Sequence, residues 1–368
     1  MRCLIANDKF KGSLTALEAA QAIAAGLPPD IDFDLCPIAD GGEGFTETMH
    51  AALGGRWVTA DVLDALGRPI RARYAITPMG VALMEMAAAS GLQGIPPSER
   101  SVLFSSTYGT GQLIDHAAQE EGVERILIGL GGSATNDGGV GMASALGIFP
   151  VGPAGQEIDP WPAAWEDLQG IRPAPGKSLP PIEAASDVTN PLLGPRGATA
   201  VFAEQKGADA AERARLEAYL ARLVKVTDAR DTAERPGAGA AGGLGFGLMQ
   251  FLGAELRSGF ELVAGALDLE RRMRDADFVL TGEGSMDGSS LDGKGPVGVA
   301  RIAAALGRPV YAVAGQITDE VRAAGLFRAV TALNETGRPL TELMGEASAL
   351  VTAGTTRMLS ATPPGGPA

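Results

Sequence analysis

Cysteine and histidine are scarce in this sequence of 368 residues, which contains two of each. Cys3 and Cys36 are too few for a disulfide framework or for a CxxC metal or redox centre, and they favour a reducing compartment. His50 and His116 are too few for a histidine-rich zinc site. A Ser-His-Asp triad would need one of these isolated histidines, for which a solvated or capping role is the simpler interpretation.

Positive charge and long apolar runs are also in short supply. The chain has 30 Lys and Arg against 44 Asp and Glu, a net charge of −14, so we expect no electrostatic capture of nucleic acid or of an anionic membrane. An anionic ligand must then be met by local cations or by a metal. No segment approaches the roughly 18 apolar residues of a membrane-spanning helix, and the apolar start is too short for a signal peptide. We therefore expect a soluble, cytoplasmic protein. Its oligomeric state, monomer or homodimer, stays open.

Glycine, by contrast, is abundant, with 51 residues gathered in discrete loops and no Gly-X-Y period. This distribution favours an active site built from loops. The length indicates two domains or one large unit with insertions. Apolar runs that predict buried strands alternate with helical patterns. The predicted strands are 2–6, 81–86, 126–130, 182–185, 199–203, 278–281, 310–314 and 329–333; the predicted helices start at Thr15, which forms a capping box with Glu18, and continue with 110–121, 139–146, 209–226 and 296–306.

The alternation predicts an α/β fold with two domains, in which mainly parallel sheets are flanked by helices in a Rossmann-like or flavodoxin-like manner. Within it, residues 129–139 form a long glycine-rich segment between a predicted strand and a predicted helix. Backbone N–H groups and the helix N-terminus can face an anion there without an intervening Cβ. A tight βα turn is the purely structural alternative, but such turns commonly take about two to six residues. The segment therefore predicts a phosphate-binding loop.

Two acidic turns provide further candidates. Asp40 and Glu43 lie in a glycine turn, where close carboxylates can hold Mg²⁺ or orient a hydroxyl, although an Asx-type turn with a capping Glu explains them equally well. Asp187 follows the strand predicted at 182–185, at the strand end where open α/β sheets place their ligands. Asp187 is therefore the best single candidate for a catalytic base or a metal ligand.

A fourth loop, residues 281–295, combines acidic groups with Lys294 directly after a predicted strand. Its end spells GxxxxGK, but Gly295 stands where a Walker A loop needs the Ser or Thr that ligates Mg²⁺. Residues 237–242 match GxGxxG, yet a charged, proline-ended segment precedes them where a dinucleotide fingerprint requires a strand. A Walker A enzyme and a Rossmann dehydrogenase are therefore disfavoured.

Lysine is rare, with six residues against 24 arginines. Four of the six, Lys9, Lys11, Lys206 and Lys294, lie beside glycine or in polar loops. A compact ammonium can follow a moving phosphoryl group, whereas a planar guanidinium does not replace it. The placement of the lysines points to phosphate chemistry in these loops.

Seven glycine-rich or polar segments occur in order along the chain: 10–13 (FKGS), 39–44 (ADGGEG), 131–139 (GGSATNDGG), 186–191 (SDVTNP), 205–207 (QKG), 237–243 (GAGAAGG) and 281–284 (TGEG). Together they resemble the bacterial type I glycerate kinase family, from the first strand to about residue 359. The chain departs from the family pattern at Asn7, where Pro is common, and at Gly288-Ser289, which replaces a more polar pair.

The resemblance implies ATP-dependent phosphorylation of D-glycerate with Mg²⁺, 2-phosphoglycerate being the favoured product, in a cleft between two α/β domains. One domain would be discontinuous, 1–65 plus 275–368, with 66–274 inserted between its halves. Asp187 would take the proton of the attacking hydroxyl. The residues expected to act are Asp187 and Lys11 in catalysis; Lys9, Gly131, Gly132, Ser133, Thr135, Asn136 and Lys294 on the nucleotide; Asp40, Asn190, Arg196 and Lys206 on the substrate; and Glu283 and Asp287 on the metal.

Two other functions use the same groups. A metal-dependent phosphatase or phosphomutase would employ the same carboxylates, and a non-enzymatic ligand sensor would have a similar α/β architecture. The choice between 2- and 3-phosphorylation stays open, because both hydroxyls of glycerate lie within reach of one base. The nucleotide preference stays open as well.

Overall fold

The computed structural model describes residues 1–39, 41–42, 44–173, 178–292, 295–334 and 338–365. The chain forms two compact units. The first contains Met1–Asp40, Glu47–Leu53 and Phe260–Ala368, and the second contains Gly41–Thr46 and Gly54–Gly259. These divisions differ from the boundaries predicted at 65/66 and 274/275.

Parallel strands and helices alternate along most of the chain. The strands are β1 (Arg2–Ile5), β2 (Asp32–Leu35), β3 (Arg56–Leu63), β4 (Pro69–Ile76), β5 (Val81–Glu85), β6 (Arg125–Gly129), β7 (Ile148–Val151), β8 (Gly170–Pro173), β9 (Ile182–Ala185), β10 (Glu255–Arg257), β11 (Phe278–Met286), β12 (Val310–Ile317) and β13 (Ala329–Ala332). The helices are α1 (Ala16–Ala25), α2 (Phe45–Leu53), α3 (Ala87–Ser90), α4 (Tyr108–Gln119), α5 (Val140–Ala145), α6 (Ala198–Phe202), α7 (Ala210–Val226), α8 (Arg230–Glu234), α9 (Ala240–Leu252), α10 (Gly259–Ala266), α11 (Leu269–Arg274), α12 (Gly295–Ala305), α13 (Asp319–Ala323), α14 (Leu340–Gly345) and α15 (Ala347–Ala361).

The sheet of the first unit has the strand order β2-β1-β11-β12-β13, and all its neighbouring strands are parallel. This is the flavodoxin-like order 2-1-3-4-5, with the residues of the second unit inserted between its second and third strands. The winding direction changes between β1 and β11. Polar groups that follow these two strands therefore lie at the switch point, where such sheets bind ligands.

The larger sheet of the second unit has the order β10-β9-β6-β5-β4-β3, and β7 and β8 form a separate antiparallel pair. The four strands from β10 to β5 are parallel, and the hairpin of β4 and β3 continues the sheet in antiparallel fashion. Buried aliphatic side chains such as Ile128, Met84 and Leu244 pack in one cluster on this sheet. Helices pack against these parallel strands and bury them. The strands therefore appear in the sequence as continuous apolar runs and not as alternating ones.

The predicted α/β class with mainly parallel sheets flanked by helices is confirmed. The capping box at the start of α1 also forms, because Thr15 Oγ1 accepts a hydrogen bond from Glu18 N at 3.2 Å while Glu18 Oε2 accepts one from Thr15 N at 2.9 Å. The GxGxxG segment follows α8 and not a strand. No helix of the described residues is both long enough and apolar enough to cross a membrane.

Two local predictions were wrong or incomplete. The run 199–203 was expected to be a strand but forms α6, because a short apolar run is compatible with either state. The hairpin of β3 and β4 was not expected, although β3 alternates exposed and buried residues over most of its length.

Candidate active site

Residues 131–139, here called the glycine loop, connect the end of β6 to α5. Gly132, Gly138 and Gly139 adopt φ values of +72°, +58° and +74°. A side chain rarely adopts this left-handed region, so the path of the loop depends on glycine at these points. The long polar segment seen in the sequence is therefore a sharply folded turn.

The first part of the glycine loop offers open donors. The N–H groups of Gly131, Gly132 and Ser133 donate to no acceptor among the described residues. Gly132 is exposed and Gly131 is half-buried. Unpaired N–H groups on a glycine turn are suited to bind phosphate oxygens, as expected from the sequence.

The start of α5 does not offer such donors, contrary to expectation. Asp137 is fully buried, and its carboxylate accepts hydrogen bonds from Gly139 N and Gly141 N at 3.2 Å each. It also accepts from the N–H and the hydroxyl of Thr107, at 2.7 and 2.8 Å. Burial raises the pKa of Asp137 above its ordinary value, while these four bonds oppose the rise. The helix N-terminus is thus occupied by the protein's own carboxylate.

Thr135 and Asn136, both expected to contact the nucleotide, are fully buried. Asn136 Nδ2 donates to Thr199 Oγ1 of α6 at 3.0 Å. Thr135 Oγ1 and Asn136 Oδ1 have no hydrogen-bond partner among the described residues. The side-chain amide of Asn136 is therefore used within the protein, and the exposed face of the loop lies nearer to its start.

Lys206, expected to bind the carboxylate of the substrate, reaches the glycine loop instead. Its Nζ donates to Ser133 Oγ and to Thr135 O, at 2.7 Å in both cases, and the residue is 2% exposed. Burial lowers the pKa of Lys206 to about 7, although the nearby charge of Asp137 opposes this shift. The contacts that the structure shows for this amino group are thus with the loop.

Asp187 follows β9 at the same sheet edge as the glycine loop. Ala185 of β9 pairs with Gly129 of β6. The loops that follow these two neighbouring strands therefore start side by side. Asp187 Oδ1 accepts hydrogen bonds from Ser258 Oγ at 2.8 Å and from Gly259 N at 3.0 Å. These two donors, which come from the end of β10, hold the carboxylate in one orientation.

Gly41, which belongs to the glycine turn predicted around Asp40, also reaches this edge. Asp40 and Glu43 lie outside the described residues, but Gly41 between them adopts φ +77°. A Cβ on Gly41 would lie 2.9 Å from the Cβ of Ala185, so the backbone of the turn packs directly against the end of β9. The second unit therefore brings three of the predicted loops to the carboxyl ends of its parallel strands.

The two remaining substrate candidates lie further along the Asp187 loop. Asn190 Nδ2 donates to the carbonyl oxygen of Arg196 at 2.7 Å, which closes the loop between them. The side chain of Arg196 is exposed. Asn190 is thus bound to backbone, whereas the guanidinium of Arg196 lies at the surface of its unit.

The segment Gly237–Gly243 contacts two of these loops, a role that its GxGxxG pattern did not reveal. A Cβ on Gly242 would lie 1.9 Å from Thr135 O of the glycine loop. A Cβ on Gly239 would lie 2.3 Å from Pro191 O of the Asp187 loop. Glycine is required at both positions because the two backbones approach too closely for a side chain.

Carboxylates gather at the switch point of the first unit. Asp8, three residues after the end of β1, is 5% exposed, and Glu283 lies in β11. A Cβ on Gly295 would lie 3.6 Å from Asp8 Oδ2 and 3.9 Å from Glu283 Oε2. Ser290 Oγ donates to Glu283 Oε1 at 3.0 Å. Two carboxylates thus face the start of α12.

The comparisons with known proteins agree on one family. The model of the glycerate kinase family matches residues 3–362. A protein named glycerate kinase from Bacillus subtilis (strain 168) is 44% identical over 336 residues, which cover 88% of this chain and 87% of the relative. The chain belongs to the glycerate kinase family.

Two further members of the glycerate kinase family are closely similar. A protein named glycerate 2-kinase from Escherichia coli (strain K12) is 44% identical over 333 residues, or 87% of each chain. A crystal structure assigned to glycerate kinase 2 from Salmonella typhimurium LT2 has a TM-score of 0.86 and 43% identity, and the match covers 98% of both chains. The two structures thus share the fold over nearly the whole chain.

The structure describes some of the remaining candidate residues of this glycerate kinase family member more fully than others. Asp287 N donates to Ser290 Oγ at 3.2 Å, so Asp287 lies on the same turn as the partner of Glu283. Lys9 Nζ lies 3.8 Å from Asp8 Oδ1, and Lys11 is exposed. Lys294 lies outside the described residues. No group of three or more His, Cys, Asp or Glu side chains suited to a metal ion occurs in the described ranges.

Asp8 is a candidate site residue that the sequence patterns do not single out. It stands in the polar run after the first predicted strand, next to Lys9, and this position was the available signal. Because β1 pairs with β11, Asp8 is brought beside a strand that lies some 270 residues further along the chain. Sequence alone does not show that pairing.

Proposed function

We propose that this chain catalyses the ATP-dependent phosphorylation of D-glycerate to 2-phosphoglycerate. The observation that carries the proposal is the match to the glycerate kinase family over residues 3–362. The proposal of 2-phosphoglycerate as the product is supported by the Escherichia coli relative, which is named glycerate 2-kinase and is 44% identical. The glycine loop and the carboxylates at the strand ends supply the groups that phosphoryl transfer requires.

In this proposal the open N–H groups of Gly131, Gly132 and Ser133 bind phosphate oxygens of ATP. Lys9 and Lys11 place positive charge near the phosphates of ATP. Phosphoryl transfer passes through a transition state with charge spread over the equatorial oxygens, so fixed donors and cations provide most of the acceleration. No covalent intermediate with the protein is needed.

Asp187 is the proposed general base. The donors Ser258 Oγ and Gly259 N keep its carboxylate in one orientation, which a base needs if it is to meet the hydroxyl of glycerate. It takes the proton as the hydroxyl oxygen attacks the γ-phosphorus. The exposed guanidinium of Arg196, on the same loop, is the proposed partner of the carboxylate of glycerate.

The donor set at the switch point of the first unit fits Mg²⁺. This ion is usually held by one or two carboxylates together with waters and substrate phosphates, and Asp8 and Glu283 offer such a pair. Asp287 lies on the adjacent turn. When bound, Mg²⁺ neutralises charge on the phosphates of the nucleotide.

A coupled ADP-release assay over small hydroxy acids tests the proposal. We expect turnover that requires both Mg-ATP and D-glycerate, and ³¹P NMR of the product should show phosphate on the 2-hydroxyl. Phosphate release without glycerate would indicate a phosphatase instead. Tight glycerate binding without turnover would indicate a ligand sensor.

A further inference from the structure

Lys206 is a buried lysine on a rigid turn. It ends a short 3₁₀ turn, Glu204–Lys206, and Gly207 follows with φ +98°. A Cβ on Gly207 would lie 3.0 Å from the Cβ of Arg100, so the end of this turn packs closely against Arg100. The position of the lysine side chain is therefore set by the local backbone.

The amine of Lys206 bridges two positions of the glycine loop. Ser133 Oγ and Thr135 O each lie 2.7 Å from Nζ, on either side of Ala134. A neutral amine has two N–H groups, so it can donate to both acceptors without burying a charge. The lowered pKa of Lys206 agrees with such a pair of bonds.

A second contact comes from the same part of the chain. Thr199, in α6, accepts a hydrogen bond from Asn136 Nδ2, and Thr199 is 1% exposed. The segment 198–207 therefore binds the glycine loop at Ser133, Thr135 and Asn136. The N–H groups at Gly131 and Gly132 are left open by these contacts.

We propose that Lys206 is a positioning residue that acts on the nucleotide through the glycine loop and does not bind the glycerate carboxylate. The inference rests on the proposed function, because it takes the loop as the phosphate-binding element. Glycine-rich backbone has many accessible conformations, so holding its N–H groups toward a phosphate costs conformational entropy. The amine of Lys206 fixes the loop before the nucleotide binds and thereby reduces that cost on binding.

The test compares Lys206→Met with Lys225→Met, a matched control at an exposed position in the last turn of α7. Three quantities are measured: amide hydrogen exchange of a peptide covering 131–136, the Kd for ATP, and the separate KM values for ATP and D-glycerate. We expect K206M to exchange faster in this peptide and to bind ATP roughly tenfold more weakly, since two buried hydrogen bonds are lost. The KM for D-glycerate should stay within about twofold, and K225M should match the wild-type protein.

A raised KM for D-glycerate, with unchanged loop exchange and unchanged ATP affinity, would overturn the proposal and make Lys206 a substrate ligand. If K206M does not fold, Ser133→Ala removes one of the two acceptors, and faster exchange of the loop is then expected; unchanged exchange contradicts the inference. A wild-type protein that binds ATP but phosphorylates no glycerate contradicts the proposed function alone, because exchange and ATP affinity still report on Lys206.

Discussion

At the residue scale, the candidate site consists of side chains whose orientation is set by a few hydrogen bonds. Asp187 is held by Ser258 and Gly259, and Glu283 is held by Ser290. Lys206 uses its amine on the loop. Because each side chain has its own hydrogen-bond partners, substitutions of single residues can test their roles one at a time.

Asp187→Asn should lower kcat by a factor of roughly 10² to 10⁴, the usual effect of removing a general base. The amide oxygen can still accept from Ser258 Oγ and Gly259 N, so folding should be retained. Circular dichroism and steady-state kinetics check both points. Ser258→Ala is the control; it leaves the base and the Gly259 bond in place and should cost far less. Near-normal turnover of a folded D187N protein would remove Asp187 from the mechanism.

Lys11→Arg should raise the KM for ATP nearly as much as Lys11→Ala. The guanidinium keeps the charge but needs a wider, planar site than an ammonium that meets phosphate. Lys225→Arg, on the exposed side of α7, should be silent. If K11R and K225R have the same kinetics as the wild-type protein, Lys11 is only a solvated surface charge.

The pH dependence of the free energy of unfolding should reveal the lowered pKa of Lys206. Its pKa falls from 10.5 to about 7 on folding, so between these values the unfolded chain binds more protons than the folded one. The contribution of Lys206 to the free energy of unfolding therefore increases as pH rises from about 7 toward 10.5. Denaturant unfolding of wild-type protein and K206M at several pH values measures it as a difference. A difference that is independent of pH would contradict the lowered pKa.

At the element scale, α9 contains a left-handed interruption that supports the site. Ala241, Gly242 and Gly243 have φ values of +52°, +68° and +88° within the range assigned to this helix. The interruption brings Gly242 against Thr135 of the glycine loop. The element is thus shaped by what it packs against and not by helix propensity.

Gly242→Ala and Ala241→Gly form a matched pair for this interruption. A Cβ at Gly242 would meet Thr135 O at 1.9 Å and strain the backbone, so G242A should destabilise the protein by about 1–3 kcal/mol or more and weaken ATP binding. A241G removes the strain of an alanine in the left-handed region, but glycine increases the conformational entropy of the unfolded chain. The free energy of unfolding should therefore change by no more than about 1 kcal/mol. Urea unfolding and ATP titration measure both. Equal effects would show that the close approach does not matter.

At the scale of the whole molecule, each unit has a sheet that contains parallel strands, and polar loops follow the carboxyl ends of those strands. The first unit has a flavodoxin-like strand order in spite of the long insertion between β2 and β11. Both cysteines belong to this unit, where they are buried and form no disulfide. They therefore report on the integrity of one unit.

Native protein should not react with a thiol reagent such as DTNB, whereas two thiols per chain should react in denaturant. Burial raises the pKa of both Cys3 and Cys36, that of Cys36 to about 11, so little thiolate is present in the folded state. Labelling at increasing urea concentration then follows the opening of the first unit. Fast labelling of the native protein would contradict the burial of Cys3 and Cys36.

The sequence by itself determined the α/β class, the glycine loop, the Asp187 turn and the family, because these depend on local patterns of glycine, polar and apolar residues. The position of Asp187 after a strand could be predicted, since the apolar run at 182–185 is visible in the sequence. The state of 199–203 could not, because its apolar residues fit a strand or a helix until neighbours decide.

Only the tertiary structure decided which loop each side chain serves. Lys206 and Thr135 are 71 positions apart, and their contact exists only when the turn ending at Lys206 packs against the glycine loop. Asp8 lies near Glu283 because β1 pairs with β11 across the inserted unit. Such contacts depend on how strands are ordered in a sheet, and the hydrophobic patterns that specify each strand carry little information about its neighbours.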